Sequence, residues 1–413
     1  MPRKPTSESR NSRPGRIVRD LCDTDLYKFS MGQMILHRFP KAEAVYRYTN
    51  RAKGESRRAC FASLAGELDE VREQIGMMSE LRLSDAMVAF FRQQCPWLKL
   101  DYLQWLQQYR FKPEQVTLSL AGGELQVEVR GPWFETVYWE VPLLCILSEL
   151  GSVDRATGRR PPKATDWRER ITAKAARMAA AGVHWVDFGT RRRFDFETEE
   201  AVCEEMKAFA PNFRGTSNPY LAMRHGLNIF GTYAHELVMA MQALYGFPCS
   251  NEMAMKHWVR EYRGDLGIAL TDTLTTEVFL RSFDKFYAKL FDGIRQDSGD
   301  PFAIGERIIA HYEKLGIDAR TKQIIFSDSL DTEKAIALAR HFKGKIMATM
   351  GIGTHLTNDV GHPPPNHVIK LAELDGGHGL VPLLKLSDGA GKISGDDRLV
   401  ADVVRQLNIP WGK

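Results

Sequence analysis

A histidine at the start of an apolar helix is the first residue of this chain whose setting implies chemistry. In GTYAHEL (231–237) it follows the apolar pair Ile229-Phe230 and leads into HELVMAMQALYG, which has a helical apolar rhythm. With Thr232 as the N-cap, Tyr233, Ala234 and His235 are expected to be the first three helical positions. The positive end of the helix dipole disfavours imidazolium, keeps a ring lone pair free and attracts anions such as phosphate. A phosphoryl-accepting histidine suits this placement. So does a histidine hydrogen-bonded in a packed helix start, and the stretch alone does not separate the two.

Five other stretches carry chemistry-bearing side chains. DFGTRRR (187–193) places an acid, an aromatic and three arginines at one strand end. Phe188 offers a flat face for a ring, and the arginines offer forked donors for carboxylate or phosphate. FRGTSNPYLAMRHG (213–226) reads as a tight turn, a cap at Ser217 or Asn218, and Pro219 near the first helical position, a second potential anion site. In RQDSGDP (295–301), Asp297 and Asp300 are placed to bind ribose hydroxyls or to hold magnesium beside a diphosphate, with Arg295 offsetting phosphate charge. Magnesium commonly takes one or two protein carboxylates plus phosphate oxygens. FSDS adds Asp328 at a strand end, and MGIGTH (350–355) is a glycine loop whose N–H groups can cradle a phosphate. GxGxxG after a strand, GxxxxGK[ST], HExxH and GxSxG are all missing, which argues against dinucleotide-dependent redox chemistry, a P-loop and the hydrolases built on the last two motifs.

Elements must position these residues. The chain has 413 residues, 44% hydrophobic and 26% charged, enough for two or three domains with a real core. A net charge of +4 is too small to argue for nucleic acid and suits small anions. Six cysteines without a CxxC pair argue against zinc or a disulfide framework and for a reducing cytoplasm. No apolar run is long enough to span a membrane. Residues 1–16 read as a disordered basic tail with no signal-peptide core.

Residues 17–150 read as an α+β domain, with a helix at 23–39, a strand at 44–51 and a β-hairpin over 116–133 around Gly122-Gly123. A Gly/Pro/Arg-rich break, 151–165, opens the second zone, 151–362. There, apolar runs ending in small, acidic or glycine residues alternate with helices at 276–291, 301–317 and 332–342. That rhythm predicts a parallel sheet, with an α/β barrel preferred over a doubly wound sheet because polar strand ends recur. HPPPNH begins the last segment, 363–413, with strands at VIKLAEL and PLLKLSD (382–388) and a helix near Leu399–Leu407.

Taken together and in order, DTDLYKFSM, DFGTRR, GTSN, GTYAHE, RQDSGDP, FSDS, GIGT and KLSD resemble nicotinate phosphoribosyltransferase, a type II phosphoribosyltransferase family of NAD salvage, from about residue 22 to about 393. The resemblance implies an irregular, incomplete TIM-like α/β barrel with an N-terminal α+β domain completed by C-terminal strands. It implies transfer of phosphoribose from phosphoribosyl diphosphate to nicotinate, with Mg2+, and ATP hydrolysed through a phosphohistidine at His235. It also implies a cytoplasmic homodimer with shared active sites and neither nucleic-acid nor membrane partners. By position, Tyr27, expected from the partner subunit, and Phe188 wall the pyridine ring. Arg191 lies near the ring carboxylate or sugar phosphate. Arg295 and Asp297 hold the phosphoribosyl group, with Asp328 nearby, while Gly353 and Thr354 meet the 5′-phosphate. Asn218 joins the substrate set with GTSN, and Lys385 in KLSD reaches the diphosphate or nucleotide phosphates. Asp272, in LTDT, is the expected orienting partner of His235. Ser217 stands where nicotinamide-using relatives carry an acid, which favours nicotinate. The rival readings are an ATP-independent enzyme, a nicotinamide or quinolinate phosphoribosyltransferase, a non-catalytic homologue, and an unrelated barrel lyase or aldolase.

Overall fold

A computed structural model describes residues 15–51, 65–122, 124–151, 161–389 and 392–409; most of the expected N-terminal tail, and 152–160 of the expected break, lie outside them. Among the described residues no helix is long and apolar enough to cross a membrane.

Two sheets organise the chain. The first is antiparallel, in the order β11-β10-β1-β3-β2. Its strands are β1 (Glu43–Asn50), β2 (Val116–Ala121), β3 (Glu124–Pro132), β10 (His367–Asp375) and β11 (Leu380–Pro382). The C-terminal β10 thus lies beside β1, and Arg47 pairs in register with Lys370 on one side and Glu128 on the other. The β2–β3 hairpin turns where expected, with Gly122 at φ 59°, a left-handed conformation that costs glycine little. PLLKLSD is not a strand: β11 ends at Pro382, and among the described residues beyond it only an isolated bridge joins Lys385 to Ser394.

The second sheet has six parallel strands in the order β5-β4-β9-β8-β7-β6. They are β4 (His184–Asp187), β5 (Phe213–Thr216), β6 (Ile268–Leu270), β7 (Gly293–Gln296), β8 (Gln323–Phe326) and β9 (Met347–Ile352). Residues Phe213–Thr216, expected as a turn, form β5 instead. Gly215 admits this because a Cβ there would meet the Asn228 carbonyl oxygen at 2.1 Å. The edge strands β5 and β6 do not pair, so the barrel is incomplete. The segment before His235 crosses the opening: Phe230 N–H donates to the Thr216 carbonyl (3.0 Å), and Thr232 Oγ1 donates to that of Ile268 (3.1 Å). Closing the seam in this way sets His235 at its edge.

Helices pack outside the barrel strands. Pro301–Lys314 lies against Thr332–Phe342, with Gly305 beneath the Phe342 ring. The single helix expected over 276–291 is two, Thr276–Ser282 and Lys285–Leu290, because the Asp284 side chain accepts from Phe286 and Tyr287 N–H and starts a new helix. The main core runs continuously through both sheets. A second, smaller core joins the C-terminal helix Asp397–Gln406, through Val400 and Val403, to Leu274, Val278, Leu384 and Leu386.

His367 opens β10 almost fully buried, and neither ring nitrogen has a hydrogen-bond partner among the described residues. Burial first, and Arg192 second, push its pKa down to about 3. The unfolded chain therefore takes up a proton near pH 6.5 that the native state refuses. Its contribution to stability is full above about pH 6.5 and is lost as pH falls toward the folded value. Urea midpoints are expected to decline from pH 7 to pH 4.5, and His367→Phe should flatten part of that decline. An unchanged slope would contradict this account.

Candidate active site

A cleft of about 1300 Å³ opens over the C-terminal ends of the parallel strands, where side chains of an α/β barrel carry chemistry. Phe188 and Arg191 line it after β4, Arg295 and Asp297 at β7, Asp328 after β8, Gly353 and Thr354 after β9. His235 and Lys385 complete the wall. These nine expected residues come together although they span much of the sequence. Arg51, Arg170, Arg192, Lys370 and Lys392 add further positive charge to the same walls.

His235 is the first residue of the helix His235–Tyr245, and its N-cap is Ala234, not Thr232. Thr232 does not cap because its hydroxyl is spent on the β6 edge. Nδ1 of His235 lies 2.9 Å from Thr273 Oγ1. Nε2 lies 2.6 Å from Lys385 Nζ and 3.0 Å from Asp297 Oδ2. Lys385, as an ammonium, donates only to a bare Nε2, whereas the Asp297 carboxylate accepts only from a protonated one, so the two contacts call for opposite tautomers. Burial, then Lys385, lowers the imidazole pKa to about 4 against the opposing pull of Asp272 and Asp297. The ring is neutral at physiological pH, with Nε2 between Lys385 and Asp297.

Asp272 is not the partner that orients His235: its Oδ1 is 3.9 Å from Nε2, too far for a hydrogen bond. Thr273, next along the same loop, does that work. Asp272 Oδ2 instead accepts from Ser298 Oγ (2.5 Å) and faces Lys385 Nζ at 3.4 Å. Asp272 Oδ1 is buried without a hydrogen-bond partner among the described residues. Ligand atoms of His235, Asp272 and Asp297 all lie within 4.8 Å of one another. Two carboxylates, one with an orphaned oxygen, fit the donors magnesium takes from protein. Asp300 is not part of this group: it caps Pro301–Lys314, accepting from Ala303 N–H at 2.8 Å. Burial alone would raise Asp297, but Arg295, His235, Lys392 and Lys385 hold its carboxyl well below the usual range.

The rest of the floor is braced. Arg295 donates from Nε to Ser327 Oγ (2.9 Å), and its guanidinium lies 6.0 Å from the Phe188 ring centroid. Phe188 packs closely on β9 because residue 351 is glycine; a Cβ there would sit 2.4 Å from the ring. Lys392 donates to Asp328 at 2.7 Å and to the Asp297 carbonyl. Burial, then Arg51, Lys385 and Lys392, push the Lys370 pKa down to about 7.

Three expected substrate residues do not face the cleft of their own chain. Tyr27 is buried, its hydroxyl donating to Glu140 Oε2 at 3.2 Å. Ser217 Oγ donates to Asp25 Oδ1 (2.6 Å), while Asn218 caps Pro219–His225 and donates to Asp23 (2.9 Å). The two aspartates of DTDLYKFSM thus tie the N-terminal segment to the β5 end. Ser217→Asp would set a second buried carboxylate against Asp25, whose own pKa burial already raises. That substitution is expected to cost about 1–3 kcal/mol, read as a lowered thermal midpoint; an unchanged midpoint would contradict the placement.

Sequence reasoning missed Thr273, Ser327, Arg51, Lys370 and Lys392. Thr273 stood in LTDT beside the chosen Asp272, and Lys370 in VIKLAEL, but nothing local shows that β10 returns to the barrel mouth.

Known proteins supply an independent comparison. The profile of the nicotinate phosphoribosyltransferase (NAPRTase) family matches residues 183–410, and that of its N-terminal domain matches 22–148. A nicotinate phosphoribosyltransferase of Chromohalobacter salexigens is 41% identical over 395 residues, covering 95% of this chain and 98% of its own. Nicotinate phosphoribosyltransferase 1 of Pseudomonas aeruginosa is 41% identical over 406 residues, covering 96% and 98%. The crystal structure of nicotinate phosphoribosyltransferase from Porphyromonas gingivalis superposes with a TM-score of 0.88 at 37% identity, covering 95% of this chain and 100% of that one. With this cleft, this incomplete barrel and similarity along nearly its whole length, the chain belongs to the nicotinate phosphoribosyltransferase family.

Proposed function

We propose that this protein is an ATP-coupled nicotinate phosphoribosyltransferase of the cytoplasm. It converts nicotinate, phosphoribosyl diphosphate, ATP and water to nicotinate mononucleotide, diphosphate, ADP and phosphate. The observation that carries this reading is the neutral His235 at the mouth of a cleft lined by arginines and lysines, with Lys385 against its Nε2. Nε2 attacks the γ-phosphorus of ATP; the N–P bond forms as the bond to ADP breaks, and Lys385 and Arg295 stabilise the charge on the transferring oxygens. Water later takes the phosphoryl group as phosphate. Phosphoribose transfer is substitution at the anomeric carbon: the pyridine nitrogen bonds as diphosphate leaves. Phe188 orients the ring, Arg191 faces its carboxylate, and Gly353 and Thr354 receive the 5′-phosphate. Asp297 and Asp272 would hold Mg2+, which when bound neutralises diphosphate charge. A homodimer belongs to this reading and is checked by sedimentation velocity.

The test mixes purified protein, magnesium and phosphoribosyl diphosphate with nicotinate, nicotinamide or quinolinate, with and without ATP. Mononucleotide, diphosphate and ADP are read by mass spectrometry. Nicotinate mononucleotide stimulated by ATP is expected. Product from another ring would overturn the substrate, indifference to ATP would overturn the coupling, and no product from any ring would overturn the enzymatic reading.

A further inference from the structure

Three separate loops meet behind His235, and one side chain joins them. Asp388 accepts two bonds from the Thr276 N–H, at 2.9 Å to Oδ1 and 3.1 Å to Oδ2, and one from Thr276 Oγ1 (2.6 Å). Its own N–H donates to Ser298 Oγ at 3.0 Å. Ser298 Oγ in turn donates to Asp272 Oδ2, and Asp272 faces Lys385. Two residues before Asp388, Leu386 N–H donates to the Thr273 carbonyl at 2.9 Å. The loop after β6, the turn after β7 and the C-terminal segment are thereby locked into one body. That body holds both Thr273 and Lys385, the partners of the two His235 ring nitrogens.

Two features mark the lock, a strained residue beside it and a glycine that lets it close. Thr275, immediately before the clamped Thr276, has φ 82°, a conformation that strains a β-branched residue. Gly299 approaches so closely that a Cβ would lie 2.9 Å from Asp388 Cβ. Asp388 itself is not on the cleft wall, so its influence on chemistry passes through its neighbours.

We propose that Asp388 is a positioning residue for His235: it clamps the Lys385 segment to the Thr271–Thr276 loop so that Thr273 and Lys385 reach the imidazole together. The proposal rests on His235 being the phosphoryl acceptor; the test includes a readout that does not.

Variants Asp388→Asn, Asp388→Ala and Thr276→Val are made in the full chain, with circular dichroism and thermal midpoints to establish folding. The first readout is the single-turnover rate of phosphoenzyme formation with ATP. Asp388→Ala is expected to slow it by about 10²-fold, the cost of a misplacement near 1 Å. KM for ATP should change less than about threefold, because ground-state contacts remain. Asp388→Asn keeps an acceptor oxygen and should fall between the two. Asp388→Ala and Thr276→Val should combine non-additively, since they break one clamp. The second readout is the rate at which diethyl pyrocarbonate modifies His235, followed by peptide mass spectrometry. Lys385 and Asp297 crowd Nε2 in the native protein, so loosening the clamp should speed modification several-fold. If the native protein forms no phosphoenzyme, the phosphohistidine reading fails and the modification rate alone decides on Asp388. Folded Asp388→Ala with native modification rates would overturn the positioning role. If Asp388→Ala does not fold, native behaviour of Thr276→Val in both readouts would overturn it equally.

Discussion

His235→Ala is expected to abolish the phosphoenzyme and to lower ATP-stimulated turnover at least about 10²-fold, leaving a residual, ATP-independent transfer. The reason lies in how few groups near ATP phosphate can act as a nucleophile. Attack by Nε2 uses the tautomer with its proton on Nδ1, facing Thr273, and the ring is neutral near physiological pH because burial and Lys385 press the pKa down to about 4. The side chains that touch it are the Thr273 hydroxyl, engaged at Nδ1, a carboxylate and a cation. The carboxylates are tied to Lys385, Arg295 and Ser298. The alanine variant removes little packing, so its thermal midpoint should stay close to native. Acid-labile, base-stable phosphate on the variant would refute the assignment, as would full retention of ATP stimulation.

Arg193→Met is expected to have the largest effect on stability, about 3–5 kcal/mol. Arg193 is the third arginine of DFGTRRR, yet it is wholly buried and takes no part in the cleft. Its two terminal nitrogens hold Asp23 at 2.6 and 2.9 Å, and Nη1 also meets Glu199 at 3.0 Å. Methionine fills similar space but strands the carboxylates without their cation. Burial first, then Asp187, already raises the Glu199 pKa to about 8, with Arg193 opposing. A carboxyl whose folded pKa lies above its unfolded value binds more protons in the native state, so stability falls as pH rises between the two. Without Arg193 that penalty grows. The loss measured by urea unfolding should therefore be larger at pH 8 than at pH 5.5. A loss below about 1 kcal/mol, or one independent of pH, would count against this reading.

DFGTRRR also marks where sequence reasoning succeeds and where it stops. An arginine triplet at a strand end announces anion chemistry, and Arg191 and Arg192 do line the cleft. Nothing in the triplet says that the third turns inward to bind an aspartate 170 positions earlier. The same limit applied to carboxylates. RQDSGDP offered Asp297 and Asp300 as an adjacent pair, but a helix start needs a cap, and Asp300 supplies it. The carboxylate beside Asp297 is Asp272, from the loop after β6. GTSN read as ligand-facing, yet its serine and asparagine bind the DTD aspartates.

By itself, the sequence determined the alternation of strand and helix, the polar strand ends, and the ordered motifs that name the family. These depend on side-chain periodicity, capping and residue type, all of which act over a few positions. Only the tertiary structure decided that β5 and β6 stay unpaired, that the segment before His235 fills the seam, and that β10 brings Lys370 to the barrel mouth. It also decided that Thr273, Lys385 and Asp297 converge on one imidazole. Each of these is a contact between residues far apart in the chain. The choice among candidate partners is made by burial and by which polar groups are still unpaired once the sheets close.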